Sequence, residues 1–269
     1  MLRNVRNGEV SVGNTKMSYV SFGQGERARI LLPGLSDGLA TVRGKALLLA
    51  APYRLFFERY TVYMFSRKDV MPSNCSIRDM ARDQAEAMNT LGIGRAAVMG
   101  VSQGGMIAQY LAVDHPELVE KLVLAVTAPA ANDLTKAAVT KWIGLAARGK
   151  HKELMIDTAE KSYSPATLKR YRKLYPFLGA VGKPASYHRF LANAHAILGF
   201  DASDELNRIT CPTFIIGGET DQIVGVQASC DLKSLISGSE LYVYPGLGHA
   251  AYEEAKDFNK RVLDFLKAE

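Results

Sequence analysis

Three cysteines are all that this chain of 269 residues contains, and Cys75, Cys211 and Cys230 stand far apart with no C-x-x-C spacing. An odd, scattered set excludes a disulfide framework and a zinc knuckle and leaves buried or idle thiols. Long apolar runs are missing as well. The longest aliphatic stretch, Ala46 to Ala51, falls far short of the roughly 20 residues a membrane-spanning helix needs. The opening MLRNVRNGEVSVGN has no apolar core of the kind a secretory signal requires. A soluble, cytoplasmic protein with no membrane partner is the expectation. Internal repeats and low-complexity segments are also absent.

What is present fits a globular domain: hydrophobic residues make up 48% and charged residues 22%, which argues against disorder. The net charge of +6 is unevenly placed. Between Asn132 and Phe200 there are twelve Lys or Arg against four Asp or Glu, so the remainder of the chain is slightly acidic. A basic region can serve nucleic acid or anionic substrates. Here the cations are scattered at helical spacing, as in Lys169, Arg170, Arg172 and Lys173, with no nucleic-acid-binding motif around them. A solvated helical face and a small-molecule partner, not nucleic acid, are expected.

Along the chain, Glu9 to Val12 and Lys16 to Phe22 alternate as strands do about a Gly13-Asn14 turn, and Arg29 to Leu32 is a short apolar run ending at Pro33-Gly34. Alternation follows: a helical segment over Leu39 to Arg59, broken or restarted at Pro52; a strand Thr61 to Phe65; a helix opened by Ser76 with Asp79 three residues on; a strand Ala96 to Met99; a helix Gly104 to Val113; and a strand Lys121 to Val126. Strands alternating with helices imply parallel βαβ units and a sheet covered on both faces. From about Ala130 to Asp204 only helical periodicity remains, in three to five pieces. Strands resume at Pro212 to Ile216 and Glu240 to Val243, and a helix over Glu253 to Lys267 closes the chain. The expected organisation is an α/β core of residues 1–129 and 205–269 carrying an all-helical insertion of residues 130–204.

Gly100-Val101-Ser102-Gln103-Gly104 matches G-x-S-x-G between a strand and a helix. Composition alone would give about 0.12 such matches in this chain, so the placement decides. A serine on a sharp strand-to-helix turn projects its hydroxyl above the sheet, and the next amide, at the helix N-terminus, points where an oxyanion would form. Gly105 adds room for close helix packing. The hydroxyl needs a base. Of five histidines, His115 stands at a helix end and His151, His188 and His195 lie in the insertion, whereas His249 follows a strand in Pro245-Gly246-Leu247-Gly248-His249. That loop is where ligand chemistry gathers in such sheets. The base in turn needs an acid. Asp221 follows the strand ending at Ile216, with Glu219 as its competitor and Asp133 as a remoter one. The order Ser, Asp, His and the strand-end placement favour Asp221.

These pieces, with Leu31-Leu32-Pro33-Gly34-Leu35, Gly218-Glu219-Thr220-Asp221 and Gly248-His249 followed by Glu253, make the whole chain resemble the α/β-hydrolase superfamily. The resemblance implies a mostly parallel central sheet flanked by helices, the triad Ser102, Asp221 and His249, and an oxyanion hole from the amides of Gln103 and Leu35. It makes the insertion the family's cap, roofing the pocket. Many members carry His-Gly where this chain has Pro33-Gly34, a difference that a backbone donor tolerates. Dehalogenases and epoxide hydrolases of the fold use an aspartate where this chain has Ser102. The mechanism needs no metal and no organic cofactor.

The activity expected is cleavage of an ester-like bond in a small, largely apolar substrate through an acyl-enzyme. An enol-lactonase, a carbon–carbon bond hydrolase or an aminopeptidase could run on the same triad, and a ligand-binding or receptor protein could keep the fold. Aromatic residues of the insertion would line part of the pocket. His188 and His195, seven apart, would share a helical face towards it, and the insertion's positive charge would favour acidic acyl groups.

Overall fold

The computed structural model describes residues 3–268. Eight strands form one sheet: β1 (Arg6–Val12), β2 (Thr15–Gly23), β3 (Arg27–Leu32), β4 (Tyr60–Lys68), β5 (Ala96–Val101), β6 (Val119–Ala125), β7 (Thr213–Gly218) and β8 (Glu240–Tyr244), in the order β1-β2-β4-β3-β5-β6-β7-β8. The β1–β2 hairpin is antiparallel, with Val12 opposite Thr15 across Gly13-Asn14, and β2 runs antiparallel to β4. From β4 to β8 every pairing is parallel. Both β5 and β7 are buried at every position, as central parallel strands covered on two faces must be.

Helix α1 (Ala46–Ala50) lies on one face, where its core joins Phe56, Phe57 and the C-terminal helices α9 (Ala251–Glu254) and α10 (Phe258–Lys267). On the other face lie α2 (Ile77–Thr90), α3 (Gln103–Asp114) and α8 (Val226–Leu235). Between β6 and β7 run four helices, α4 (Asp133–Ala147), α5 (His151–Ser162), α6 (Pro165–Tyr171) and α7 (His188–Leu198), with a 3-10 stretch over Arg172–Phe177. Ser76 does cap α2: its Oγ accepts from the Asp79 amide, and the Asp79 carboxylate accepts from the Ser76 amide in return.

Two local expectations are corrected and one helix is added. The helix over Leu39 to Arg59 shrinks to α1, followed by a 3-10 run Ala51–Phe56. Gly44 at φ 75° stops helix before α1, and Pro52 stands at the start of the 3-10 run. The closing helix is cut in two because Ala255 is extended at ψ 114°. Helix α8, absent from the sequence pattern, starts after Gly225 at φ 77°. Its Ser, Cys and Asp content weakens any helical signal, and packing against β7 and β8 supplies the rest.

Candidate active site

Ser102 follows β5 in a conformation that L-residues rarely hold, φ 53° and ψ −119°. Such strain costs on the order of 1–3 kcal/mol and persists where its surroundings enforce it. They do so here. The Ser102 amide donates to the Ala125 carbonyl of β6 at 2.9 Å, and its carbonyl accepts from the Gly105 amide and the Thr127 hydroxyl, each at 2.8 Å. A Cβ on Gly100 would stand 2.2 Å from the Gly104 carbonyl oxygen, and one on Gly104 1.9 Å from that of Leu32. Both flanking glycines are therefore required by backbone crowding. A second strained residue sits beside this turn: Val126, wholly buried, has φ 45° and donates its amide to Ile216 across β6 and β7. No sequence signal marks a valine for this conformation.

The three sequence-selected side chains converge at the C-terminal edge of the sheet, on loops after β5, β7 and β8. His249 Nε2 lies 2.9 Å from Ser102 Oγ, and His249 Nδ1 lies 2.7 Å from Asp221 Oδ2. The other carboxylate oxygen of Asp221 accepts from the amides of Ile223 at 2.8 Å and Val224 at 3.0 Å. Burial opposes ionisation of this carboxyl. The adjoining imidazole and the two amides outweigh burial and hold Asp221 below the usual aspartate range. With its acceptor on Nδ1, His249 carries that proton and offers Nε2 to the serine.

Glu219 stands apart from this chain of contacts. Its carboxylate accepts from the Gly246 amide at 2.7 Å and closes the loop that carries His249. Asp133 is exposed in the first turn of α4. His188 and His195 do share a face of α7, but it is the solvent-exposed one. Phe190, Ala192, Asn193, Ala194, Ala196 and Ile197 take the buried side.

Gln103 is the first residue of α3 and Leu35 the first of a 3-10 turn Leu35–Gly38, so neither amide has an intrahelical acceptor. Gly34 brings the Leu35 loop against the serine, since a Cβ there would touch Ser102 Cβ at 3.4 Å. Behind this pair lies a buried polar network that sequence reasoning missed. The Gln103 side chain accepts from Arg67 Nη2 at 2.9 Å and donates to the Asn193 carbonyl of α7 at 2.8 Å. Asp37, in the Leu35–Gly38 turn, accepts from the Arg67 amide at 2.9 Å and from Arg189 Nη2 at 2.5 Å. Arg189 also donates to the Arg67 carbonyl at 2.9 Å. Burial pushes the Arg67 guanidinium down to about 10, with Asp37 opposing the fall. Thus β4, the Leu35 turn, the start of α3 and helix α7 are tied at one point.

The loop of His249 is anchored to the helical segment in the same way. The Ala250 amide donates to the Ser162 carbonyl at 2.9 Å, Tyr163 Oη to Glu253 at 2.6 Å, and Ser164 to Glu254 through both amide and hydroxyl. Beside Pro33 a mostly apolar cleft of about 290 Å³ opens, walled by Leu39, Val42, Leu49 and Met64 and by Met155 and Gly182 of the helical segment.

A relative from Pseudomonas sp., a 2-hydroxy-6-oxononadienedioate/2-hydroxy-6-oxononatrienedioate hydrolase, is 31% identical over 198 residues, 70% of each chain. A second hydrolase of that name, from Pseudomonas putida, is 28% identical over 98% of this chain and 94% of its own. Among solved structures, MGS-M2, an α/β hydrolase enzyme from a Medee basin deep-sea metagenome library, superposes with a TM-score of 0.84. It covers 97% of this chain and 98% of its own at 20% identity. A serine strained on a strand-to-helix turn, joined to histidine and aspartate on the next loops of the sheet, is found here in a chain whose residues 30–256 match the model of the α/β hydrolase fold, and the protein belongs to that family of enzymes.

Proposed function

We propose that this hydrolase cleaves an ester-like bond in a small, largely apolar molecule, with Ser102 as nucleophile, His249 as general base and Asp221 as its orienting acid. The observation that carries the reading is the unbroken hydrogen-bond chain of 2.9 and 2.7 Å from Ser102 through His249 to Asp221. Ser102 Oγ attacks the carbonyl carbon as its proton passes to His249 Nε2. The tetrahedral oxyanion takes hydrogen bonds from the Gln103 and Leu35 amides. Its collapse expels the alkoxide, which His249 protonates. A water molecule, deprotonated by His249, then attacks the acyl-serine, and the acid leaves with Ser102 restored. The chemistry uses no metal and no cofactor.

Residues 130–204 act as a cap in this reading, and residues 1–129 and 205–269 as the core. The apolar cleft beside Pro33 receives the acyl part, because it abuts the Leu35 turn and is walled on one side by Met155 and Gly182. Carbon–carbon bond hydrolysis is the second reading, favoured by the two named relatives. The same nucleophile would then attack a ketone, and His249 would deliver its proton to carbon.

Intact-mass labelling with a fluorophosphonate tests the assignment. One adduct on the wild type and none on Ser102→Ala is expected. A folded wild type that takes no adduct would overturn it and return the fold to a ligand-binding role. Turnover of a panel of short-chain esters, lactones and a 2-hydroxy-6-oxo-dienoate then separates the two readings.

A further inference from the structure

Exposed apolar side chains are unevenly spread over this molecule. Of the eight large hydrophobics at least half exposed among the described residues, six fall in two segments. Leu47, Leu48 and Leu55 belong to α1 and the 3-10 run after it, and Leu174, Phe177 and Val181 to the stretch after α6. Both segments reach the wall of one cleft, where Lys45 and Leu49, beside Leu47 and Leu48, and Gly182, beside Val181, are lining residues. The second segment is held along α5: Tyr175 Oη donates to Glu160 at 2.7 Å, and the Val181 carbonyl accepts from His151 Nε2 at 2.9 Å.

Their charge is one-sided. Residues 38–57 contain Arg43, Lys45 and Arg54 and no Asp or Glu, and residues 161–200 contain seven Lys or Arg and no Asp or Glu. Arg43, Lys161, Arg172 and Arg189 are paired with carboxylates. Lys45, Arg54, Lys169, Arg170, Lys173 and Lys183 have no ion pair among the described residues. Exposed apolar side chains and unpaired cations carried on the same two segments are the composition of a surface that enters the headgroup region of an anionic bilayer. A second copy of this chain would bring the same cations face to face, which opposes self-association here.

We propose that the mouth of this cleft docks on an anionic lipid surface. Leu47, Leu48, Phe177 and Val181 enter the boundary between headgroups and acyl chains, and the unpaired cations hold the headgroups. The substrate is then an acyl-bearing amphiphile drawn from that surface into the cleft. This last step rests on the hydrolase reading; the docking does not. The expectation of no membrane partner rests on the lack of a spanning run, which peripheral docking does not require.

Co-sedimentation of the full-length protein with vesicles of phosphatidylglycerol and phosphatidylcholine, against vesicles of phosphatidylcholine alone, is the test. Wild type and Ser102→Ala should both bind the anionic vesicles, weakly or not at all the neutral ones, and less at high salt. Lys173→Glu with Lys183→Glu should lower the partition roughly fivefold or more per cation. Leu48→Asp with Phe177→Asp should lower it at least as much. Both double variants should keep wild-type melting temperature and wild-type turnover of a soluble short-chain ester. Vesicle binding with no turnover of any ester, lactone or 2-hydroxy-6-oxo-dienoate would sink the hydrolase reading and leave the docking intact. Equal binding to both vesicles, none to either, or undiminished binding by the double variants would overturn the proposal. So would a concentration-dependent dimer abolished by Leu48→Asp with Phe177→Asp.

Discussion

The turn that holds Ser102 and the helical segment between β6 and β7 are built on opposite terms. In the turn the backbone itself is crowded: glycines stand where a single methyl would collide with a neighbouring carbonyl, and two residues keep positive φ under tight enclosure. In the helical segment, exposed cations and half-exposed pairs such as Arg172–Glu160 and Lys141–Asp157 cover the outside, and glycines such as Gly149 and Gly182 face open space. A position fixed by backbone collisions tolerates no change, so chemistry can be held there to fractions of an ångström. A surface held by solvated pairs tolerates much change, so preference for one substrate or another can shift without disturbing the nucleophile. The two regions meet where Arg189 and Asn193 of α7 reach Asp37 and Gln103.

That contrast can be broken from either side, beginning with the largest effect. Asp221→Asn removes the acceptor that fixes the His249 tautomer; kcat should fall on the order of 10^3 to 10^4-fold with the fold intact by circular dichroism. Gly104→Ala should lower the melting temperature by roughly 10 °C, as about 3 kcal/mol of overpacking would in a domain of this size, whereas Gly149→Ala should cost about 1 kcal/mol from positive φ alone. Equal melting temperatures for the two variants would erase the distinction.

At the junction, Arg189→Ala leaves Asp37 with Arg67 alone. Turnover should drop about tenfold with little change in KM, because the Leu35 turn loses its tie to α7. Arg189→Lys should restore only part of this, since one ammonium cannot reach the acceptors that the guanidinium fork spans. Acid titration gives a smaller effect. The Asp221 carboxyl is held below its unfolded value, so its stabilisation is complete above the ordinary carboxylate range, about pH 4, and is lost as the pH falls through the folded value. Thermal melts of wild type and Asp221→Asn should therefore converge at acid pH; a constant gap would contradict this. The smallest effect belongs to the outer surface. Arg172→Ala should leave both melting temperature and turnover unchanged.

Much of this was legible in order and type along the chain. The G-x-S-x-G turn, the loop of His249 and the strand end before Asp221 each carry a local signature, because glycine, small residues and apolar runs report backbone geometry directly. Chain order and strand-end placement favoured Asp221 over Glu219, and Asp221 is the carboxylate that stands 2.7 Å from His249 Nδ1. Lengths of irregular pieces were not legible: α1, α8 and the break at Ala255 depend on packing against the sheet. Nor was the outward face of His188 and His195, because a seven-residue spacing puts two side chains on one face without saying which face is buried.

By itself the sequence determined the mostly parallel sheet, the run of helices between β6 and β7 and the choice of serine, histidine and aspartate for the proposed triad, because periodicity and turn chemistry are local properties. Only the tertiary structure decided that Arg67, Arg189, Asp37, Asn193 and the Gln103 side chain share one buried network. It alone also decided that the two segments carrying six exposed hydrophobics both reach the wall of one cleft. The contacts of α7 with that network join residues 90 to 152 positions apart, and each exists only where separate crossovers bring the strands and helices that carry it to the same edge of the sheet.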